Sequence, residues 1–304
     1  MEAATASTLQ FPTWTGQETI VRKSNGFLRF SHKCREEKGI HMLNSRNLRW
    51  KSASARPRIV ALEVSGSCKN SPASALESGM VCTSFDEALI LKKKAQEVGP
   101  HLDGRCIYLV GMMGSGKTTV GKILSEVLGY SFFDSDKLVE EAVGVSSVAQ
   151  IFKQYSENFF RDNESDVLRD LSLMRQLVVA TGGGAVIRPI NWKYMKQGIT
   201  VWLDVPLKAL ARRIAAVGTD SRPLLHGESG DAYSKALLRL STLFEERGEA
   251  YANADARVSL PHIAAKLGFD DVSGLTPTTI AIEALTLIEY SIKRDNDTNV
   301  ARNS

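Results

Sequence analysis

The chain has 304 residues, of which 43% are hydrophobic and 24% are charged, and its formal net charge is +4. This composition is typical of a globular protein with a filled core. Without an apolar run of about 18 residues, we expect no membrane-spanning helix. The positive excess lies in residues 1–60, which hold 11 Lys and Arg against 4 Glu. We therefore expect no nucleic-acid surface on the folded part.

Residues 1–60 contain no Asp, are rich in Ser, Thr and Arg, and show no sustained periodicity. This pattern predicts an organelle transit peptide, and the lack of an apolar stretch after the start disfavours a secretory signal. The alternative is a basic tail without a targeting role. The four cysteines lack C-x-x-C spacing, which disfavours a metal site or a disulfide framework. A regulatory Cys68–Cys82 disulfide is an open alternative.

Residues 61–100 are predicted to be a Ser/Gly/Ala-rich linker followed by a helix. The capping box Ser84-Phe-Asp-Glu87 opens that helix, which we expect to end near Glu97, before Gly99-Pro100. The folded domain is predicted over residues 101–293. Residues 294–304 are predicted to be a disordered tail.

Within the domain, apolar strand patterns alternate with helical patterns. The predicted strands cover 106–110, 131–134, 177–181, 200–204 and 257–260. The predicted helices cover 118–128, 137–143, 146–155, 157–175, 191–197, 206–217, 233–251 and 278–292. This alternation predicts an α/β fold of three layers, with a five-stranded parallel sheet flanked by helices. Residues 219–231 are polar and rich in turn formers, which predicts a mobile lid. Residues 261–277, before the closing helix, are assigned no element.

The first predicted strand leads directly into a glycine-rich loop. It reads Gly111-Met112-Met113-Gly114-Ser115-Gly116-Lys117-Thr118, a G-x-x-x-x-G-K-T pattern typical of loops that cradle ATP phosphates. The backbone N–H groups and the N-terminus of the next helix favour an anion there. Lys117 is suited to the β- and γ-phosphates, and the Thr118 hydroxyl to Mg²⁺. The alternative is a glycine-rich turn that binds nothing.

Asp134 and Asp136 leave the second predicted strand on the same side of the chain. One carboxylate can serve Mg²⁺, and the other can accept a proton from a substrate hydroxyl. The alternative is an exposed turn that caps the following helix.

Further candidates follow along the chain. Arg161 and Glu164 share one helix face, which lets Glu164 steady the Arg161 guanidinium. Arg161 is suited to bind a substrate carboxylate in a bidentate way. Taken alone, however, the two residues are more typical of a surface ion pair. Three glycines after the third predicted strand would let a ligand contact the backbone; they are Gly182, Gly183 and Gly184. The alternative is a flexible bend between strand and helix. Arg222 in the predicted lid can neutralise phosphate charge, and Arg247 lies near the end of the long helix. Taken alone, each of these two arginines is more typical of a solvated surface residue.

In combination, these motifs resemble the shikimate kinases, specifically the plastid forms of plants. The resemblance covers roughly residues 105–260. It includes the loop, Asp134-Ser-Asp136, Phe160-Arg161-Asp-Asn-Glu164, Gly182–Gly184, Ser221-Arg222-Pro-Leu-Leu225 and Arg247-x-x-x-Tyr251. It implies a P-loop kinase fold that transfers phosphate from ATP to the 3-hydroxyl of shikimate, in the plastid stroma, as a monomer or homodimer.

The resemblance also implies roles for residues. Residues 111–118 would hold the ATP phosphates and Mg²⁺, with Asp134 supporting the metal. Asp136 would bind the shikimate hydroxyls and act as the base. Arg161 and Arg247 would bind the carboxylate, Gly183 would contact the substrate through its backbone, and Arg222 would close on ATP.

Two alternatives stay open. One is a different small-molecule kinase, for gluconate or a nucleoside monophosphate. The other is a catalytically inactive relative that acts as a binding or regulatory protein. A GTPase is disfavoured because the sequence has no N-K-x-D guanine signature.

Overall fold

The computed structural model of the protein describes residues 77–217 and 231–303. Its centre is a five-stranded sheet with the order β2-β3-β1-β4-β5, in which every pair is parallel. The strands are β1 (Ile107–Val110), β2 (Ser131–Asp134), β3 (Leu177–Ala180), β4 (Ile199–Asp204) and β5 (Ala256–Ser259). The predicted α/β fold with a five-stranded parallel sheet is confirmed.

Helices cover the sheet and bury its apolar strands, β1 and β3 completely. They are α1 (Glu77–Leu102), α2 (Lys117–Leu128), α3 (Ser135–Val143), α4 (Val148–Gln154), α5 (Glu157–Ser172), α6 (Pro189–Met195), α7 (Leu207–Val217), α8 (Ala232–Tyr251), α9 (Leu260–Leu267) and α10 (Pro277–Asn303). Helices α1, α2 and α10 pack together, as do α3, α5 and α6, and α7 packs on α8. Among the described residues, no helix is long and apolar enough to cross a bilayer.

The boundaries of helix α1 differ from the prediction. It begins at Glu77, before the expected capping box at Ser84, and it continues through Gly99 and Pro100 to Leu102. A proline inside a helix removes one backbone hydrogen bond. Here Val98 and Leu102 are fully buried on either side of Pro100. Their burial in the core offsets the lost bond and extends the helix.

The C-terminal part also differs. Helix α9 begins at Leu260 and, with a 3-10 turn at Val272–Gly274, extends through the segment 261–277, to which we assigned no element. Helix α10 continues to Asn303, although we expected a disordered tail from residue 294. Elongation of a helix adds one backbone bond per residue fixed, so a formed helix extends easily into a polar segment.

Several sequence predictions lie outside the described residues. These are the transit peptide over 1–60, the linker up to residue 76, and the lid with Arg222. The last residue of the predicted lid, Asp231, is described: its side chain accepts a hydrogen bond from the Ser234 N–H, 3.4 Å away, and caps α8.

We expect Gly198→Ala to destabilise the fold by about 1–3 kcal/mol, because overpacking forces backbone shifts. A methyl group there would overlap the carbonyl oxygen of Cys106 and lie 3.0 Å from the Tyr108 ring. Gly99→Ala is the control, since nothing lies within 4 Å of its added carbon, and it should stabilise α1 by about 0.5–1 kcal/mol. Urea unfolding measures both, and equal free energies of unfolding would contradict this account of Gly198.

Candidate active site

The glycine-rich loop joins the carboxyl end of β1 to α2, and two of its glycines are required by geometry. Gly111 has φ 143°, and a side-chain carbon there would lie 2.8 Å from the Leu203 carbonyl oxygen. Gly116 has φ 96° and caps α2 in the left-handed conformation. The tight turn ends with Lys117 and Thr118 in the first turn of α2. Anions are favoured at such a helix start.

The Lys117 side chain is buried within this loop. Its Nζ donates to the carbonyl oxygens of Gly111 and Met112 at 2.8 and 2.9 Å. Burial lowers the pKa of Lys117 to about 8, although the carboxylates of Asp136 and Asp134 oppose the shift. The ammonium group is therefore held where a phosphate on the loop would meet it.

Thr118 and Asp134 meet beside the loop. The Thr118 Oγ1 donates to Asp134 Oδ2 at 3.0 Å, while Asp134 Oδ1 accepts the N–H of Asp136 at 3.2 Å and caps α3. The capping alternative is thus correct for Asp134, but it uses only one carboxylate oxygen. A hydroxyl and a carboxylate are the hard oxygen donors that Mg²⁺ prefers, so this pair fits such an ion.

Asp136 and Glu164 each hold a buried oxygen next to Gly182. Asp136 Oδ1 and Glu164 Oε1 have no hydrogen-bond partner among the residues that the structure describes. Burial and the nearby charges of Glu164 and Asp134 raise the pKa of Asp136 to about 7. Burial also raises the pKa of Glu164, against the effect of Arg161. Unpartnered buried oxygens cost free energy that a bound ligand can recover.

Arg161 and Glu164 form a buried ion pair rather than a surface one. Arg161 is 6% exposed and Glu164 is 0% exposed. The Arg161 guanidinium donates to Glu164 Oε2 at 2.9 Å and to Glu157 Oε1 at 3.1 Å. Helix α5 therefore fixes a cation at the floor of the site, as the substrate-binding hypothesis requires.

The three glycines after β3 make room for these groups. A side-chain carbon at Gly182 would lie 2.5 Å from Asp136 Oδ1 and 2.6 Å from Glu164 Oε1, and one at Gly184 would overlap the Arg161 guanidinium. Side-chain space, more than backbone flexibility, explains these two glycines. The Gly183 carbonyl accepts the Tyr251 hydroxyl at 2.5 Å.

Helix α8 brings Arg247 to the same place. Arg247 is 3% exposed, and its Nε has no hydrogen-bond partner among the described residues. Burial lowers its pKa, and the charge of Arg161 acts in the same direction. Two guanidinium groups therefore converge, Arg161 paired with Glu164 and Glu157 and Arg247 with an unpartnered Nε among the described residues, an arrangement suited to a carboxylate.

These groups line one cavity of about 350 Å³. It contains Asp134, Asp136, Arg161, the three glycines and Arg247, and it adjoins the loop at Met113. Of the predicted loop residues only Met113 lines this cavity, although Thr118 is bonded to Asp134, which does. Arg222 lies outside the described residues. The rest of the cavity wall was assigned no site role from the sequence, although Phe160 stands in the quoted family motif; it consists of Lys137, Glu140, Ser147, Val148, Phe152 and Phe160. The apolar members contribute to helical periodicity, which does not separate core from cavity wall.

Arg213 was also missed. Its guanidinium donates to the Gly114 carbonyl at 3.2 Å, and burial lowers its pKa. It therefore adds a half-buried positive charge beside the phosphate loop. Nothing in the local sequence distinguishes it from Arg212, which pairs with Asp271 at the surface.

Comparisons with known proteins agree with one another. A sequence profile of the family described as "Shikimate kinase" matches residues 113–272. "Shikimate kinase 3, chloroplastic" from Oryza sativa subsp. japonica is 75% identical over 68% of this chain and 72% of its own length. "Shikimate kinase, chloroplastic" from Solanum lycopersicum is 56% identical over 96% of this chain and 97% of its own length. A solved shikimate kinase from Acinetobacter baumannii, in complex with shikimate, has 31% identity over 59% of this chain and 99% of that one, with a TM-score of 0.48.

The raised pKa of Asp136 predicts a pH-dependent stability difference. Between its ordinary value of 3.8 and about 7, the folded protein holds a proton that the unfolded chain releases. The contribution of Asp136 to stability is therefore full at low pH and is lost as the pH rises through 7.

We expect Asp136→Asn, which cannot ionise, to be more stable than the parent above neutral pH, by on the order of 1–3 kcal/mol. The difference should vanish below the ordinary pKa of the carboxyl. Thermal unfolding in metal-free buffer across this range measures it, and a constant difference would contradict the assignment.

Proposed function

The chain belongs to the shikimate kinase family, its reaction is the ATP-dependent phosphorylation of shikimate, and we propose that the residues of this cavity carry it out. The observation that carries the proposal is the meeting of two buried arginines and an unpartnered carboxylate oxygen beside a phosphate loop. One end of such a site suits a triphosphate, and the other suits a small acid that bears hydroxyl groups.

We propose that residues 111–118 bind the ATP phosphates through the loop N–H groups and the Lys117 ammonium. Lys117 then exchanges its bonds to the Gly111 and Met112 carbonyls for phosphate oxygens. Thr118 and Asp134 are the residues that would hold Mg²⁺, which when bound neutralises charge on the β- and γ-phosphates. Arg222 is proposed to add a further positive charge to the γ-phosphate.

The part of the cavity between Arg161, Arg247 and the three glycines is proposed to bind shikimate through charge and shape. Arg161 and Arg247 bind the carboxylate, and Glu164 keeps the Arg161 guanidinium oriented through its 2.9 Å bond. Gly182 and Gly184 leave room for the substrate next to Asp136 and Arg161, and Gly183 contacts it through the backbone. Phe152 and Phe160 supply an apolar wall. Their rings pack edge to face, with 5.2 Å between the ring centroids.

Asp136 is the proposed base. Its Oδ1 accepts a hydrogen bond from the shikimate 3-hydroxyl and takes the proton as the hydroxyl oxygen bonds to the γ-phosphorus of ATP. The bond from that phosphorus to the β–γ bridging oxygen breaks, and ADP leaves. A pKa of about 7 leaves a large fraction of the carboxyl ionised at neutral pH while retaining basicity. No covalent enzyme intermediate is needed, since positioning and charge neutralisation supply the catalysis.

The chain acts in the chloroplast, in agreement with the chloroplastic names of its plant relatives. We propose that residues 1–60 are the transit peptide and that the mature protein is a monomer or a homodimer. A comparison of ATP consumption with shikimate and with gluconate tests the substrate. Stimulation by gluconate alone would favour a different kinase, and no stimulation by either would favour an inactive relative.

We expect Asp136→Asn to abolish shikimate phosphorylation while ATP binding stays largely intact, because the amide cannot accept the hydroxyl proton. A coupled assay for ADP release measures turnover, and calorimetric titration measures ATP affinity. Turnover close to that of the parent enzyme would reject Asp136 as the base.

We expect Arg161→Ala to weaken shikimate binding by about tenfold or more, the effect of losing a charge-assisted hydrogen bond, with a smaller change in the KM for ATP. Arg169→Ala is a control on the same helix, since Arg169 is 40% exposed and pairs with Asp166 and Asp170, neither of which lines the cavity. Equal effects of the two substitutions on the KM for shikimate would argue against carboxylate binding by Arg161.

A further inference from the structure

A second cavity lies at the opposite end of the strands from the candidate active site. It has a volume of about 290 Å³ and is formed by the segments that precede β1, β3 and β4. The phosphate loop follows the carboxyl end of β1, whereas this cavity lies at the amino end of the same strand. Ligands of such sheets ordinarily bind at the carboxyl ends, so this cavity takes no part in the proposed phosphoryl transfer.

The Tyr108 hydroxyl is the first sign of a ligand in this cavity. Tyr108 lines it and is 0% exposed, and its hydroxyl has no hydrogen-bond partner among the described residues. Gly198 leaves room for the ring, since a methyl group there would lie 3.0 Å from it. Buried hydroxyl groups nearly always find a partner, and a ligand oxygen in the cavity would provide one.

Charge is the second sign. Arg105 and Arg175 line the cavity, Arg175 from its open side with 67% of its side chain exposed, and Asp103 is the one acidic residue in the lining. Arg105 donates to the carbonyls of Leu102 and His101, both at 3.3 Å. Arg175 donates to the Asp103 carbonyl and lies 3.5 Å from its carboxylate. A guanidinium has five N–H donors, so both arginines keep donors for a ligand, and the local charge is positive.

The backbone around the cavity is the third sign. Within residues 77–217 and 231–303, only Asp103 and Gln176 among non-glycine residues have positive φ, at 47° and 59°. Both lie in the segments that form this cavity, and the Gln176 N–H joins these segments by donating to the Gly104 carbonyl at 2.8 Å. Left-handed backbone in residues other than glycine is costly and concentrates at ligand sites.

We propose that this cavity binds a small oxyanion, a carboxylate or phosphate compound, with the Tyr108 hydroxyl donating to one of its oxygens. Arg105 and Arg175 pair with its negative charge. The Cys106 thiol forms a neutral part of the wall, because its Sγ donates to the Met174 carbonyl at 3.3 Å and burial raises its pKa. The cavity volume limits the ligand to a molecule at the small end of those that proteins bind.

The test uses the full chain labelled with 3-fluorotyrosine, with ADP and shikimate present so that the phosphate loop is filled. The fluorine resonance of Tyr108 is assigned as the one that Tyr108→Phe removes. Inorganic phosphate and benzoate are added separately at millimolar concentration, and they distinguish a phosphate from a carboxylate ligand. We expect one of them to shift this resonance in a saturable way.

Arg175→Ala should weaken that response about tenfold, as expected for one lost charge-assisted bond, and Arg169→Ala should leave it unchanged. Tyr108→Phe should fold at least as stably as the parent, keep its turnover, and lose the heat of anion binding seen by calorimetry with the loop filled. No shift of the Tyr108 resonance with either anion, or an equal shift in the Arg175→Ala protein, would overturn the proposal.

Discussion

The burial of three charged side chains and of one Asp136 oxygen around one glycine turn is the constraint on which the active site depends. Asp136, Arg161, Glu164 and Arg247 come from three different helices and meet at the end of β3. Charged groups are buried only where they are paired or hydrogen-bonded. The Arg161–Glu164 pair partly meets that requirement, while an oxygen of Asp136 and the Nε of Arg247 stay unpartnered within the described chain. The fold thus gives up stability here, and an anionic, hydroxylated ligand recovers it.

At the phosphate end of the site, one carboxylate makes several structural hydrogen bonds. Asp134 caps α3 with one oxygen and accepts the Thr118 hydroxyl with the other. One carboxylate therefore links the end of β2, the start of α3 and the start of α2. The structural bonds of Asp134 and its proposed role in holding Mg²⁺ fall on the same carboxylate, so a substitution of Asp134 would disturb both the helix and the loop. That overlap separates it from Asp136, whose Oδ1 serves no structural bond among the described residues.

Much of this arrangement could be predicted from the sequence, for physical reasons. Apolar runs that alternate with helical patterns predicted the strands, and the glycine-lysine pattern of 111–118 predicted the loop. The spacing of Arg161 and Glu164 placed them on one helix face but carried no information about burial, which depends on the turn at 182–184. Helix α1 was predicted too short because the local signals at Ser84 and Pro100 are weaker than the burial of Val98 and Leu102. The cavity wall and Arg213 could not be predicted, since only tertiary packing distinguishes them from ordinary helix residues.

Helix α1 also limits how far the chain can be shortened from its N-terminal side. Its residues Leu91, Ala95, Val98 and Leu102 belong to the hydrophobic core, and Lys94 pairs with Glu289 of α10 at 2.5 Å. Removal of these residues would uncover the faces of α2 and α10 that pack on α1. A transit peptide confined to residues 1–60, as proposed, leaves this helix intact, so the mature enzyme would keep a packed helix ahead of its nucleotide loop.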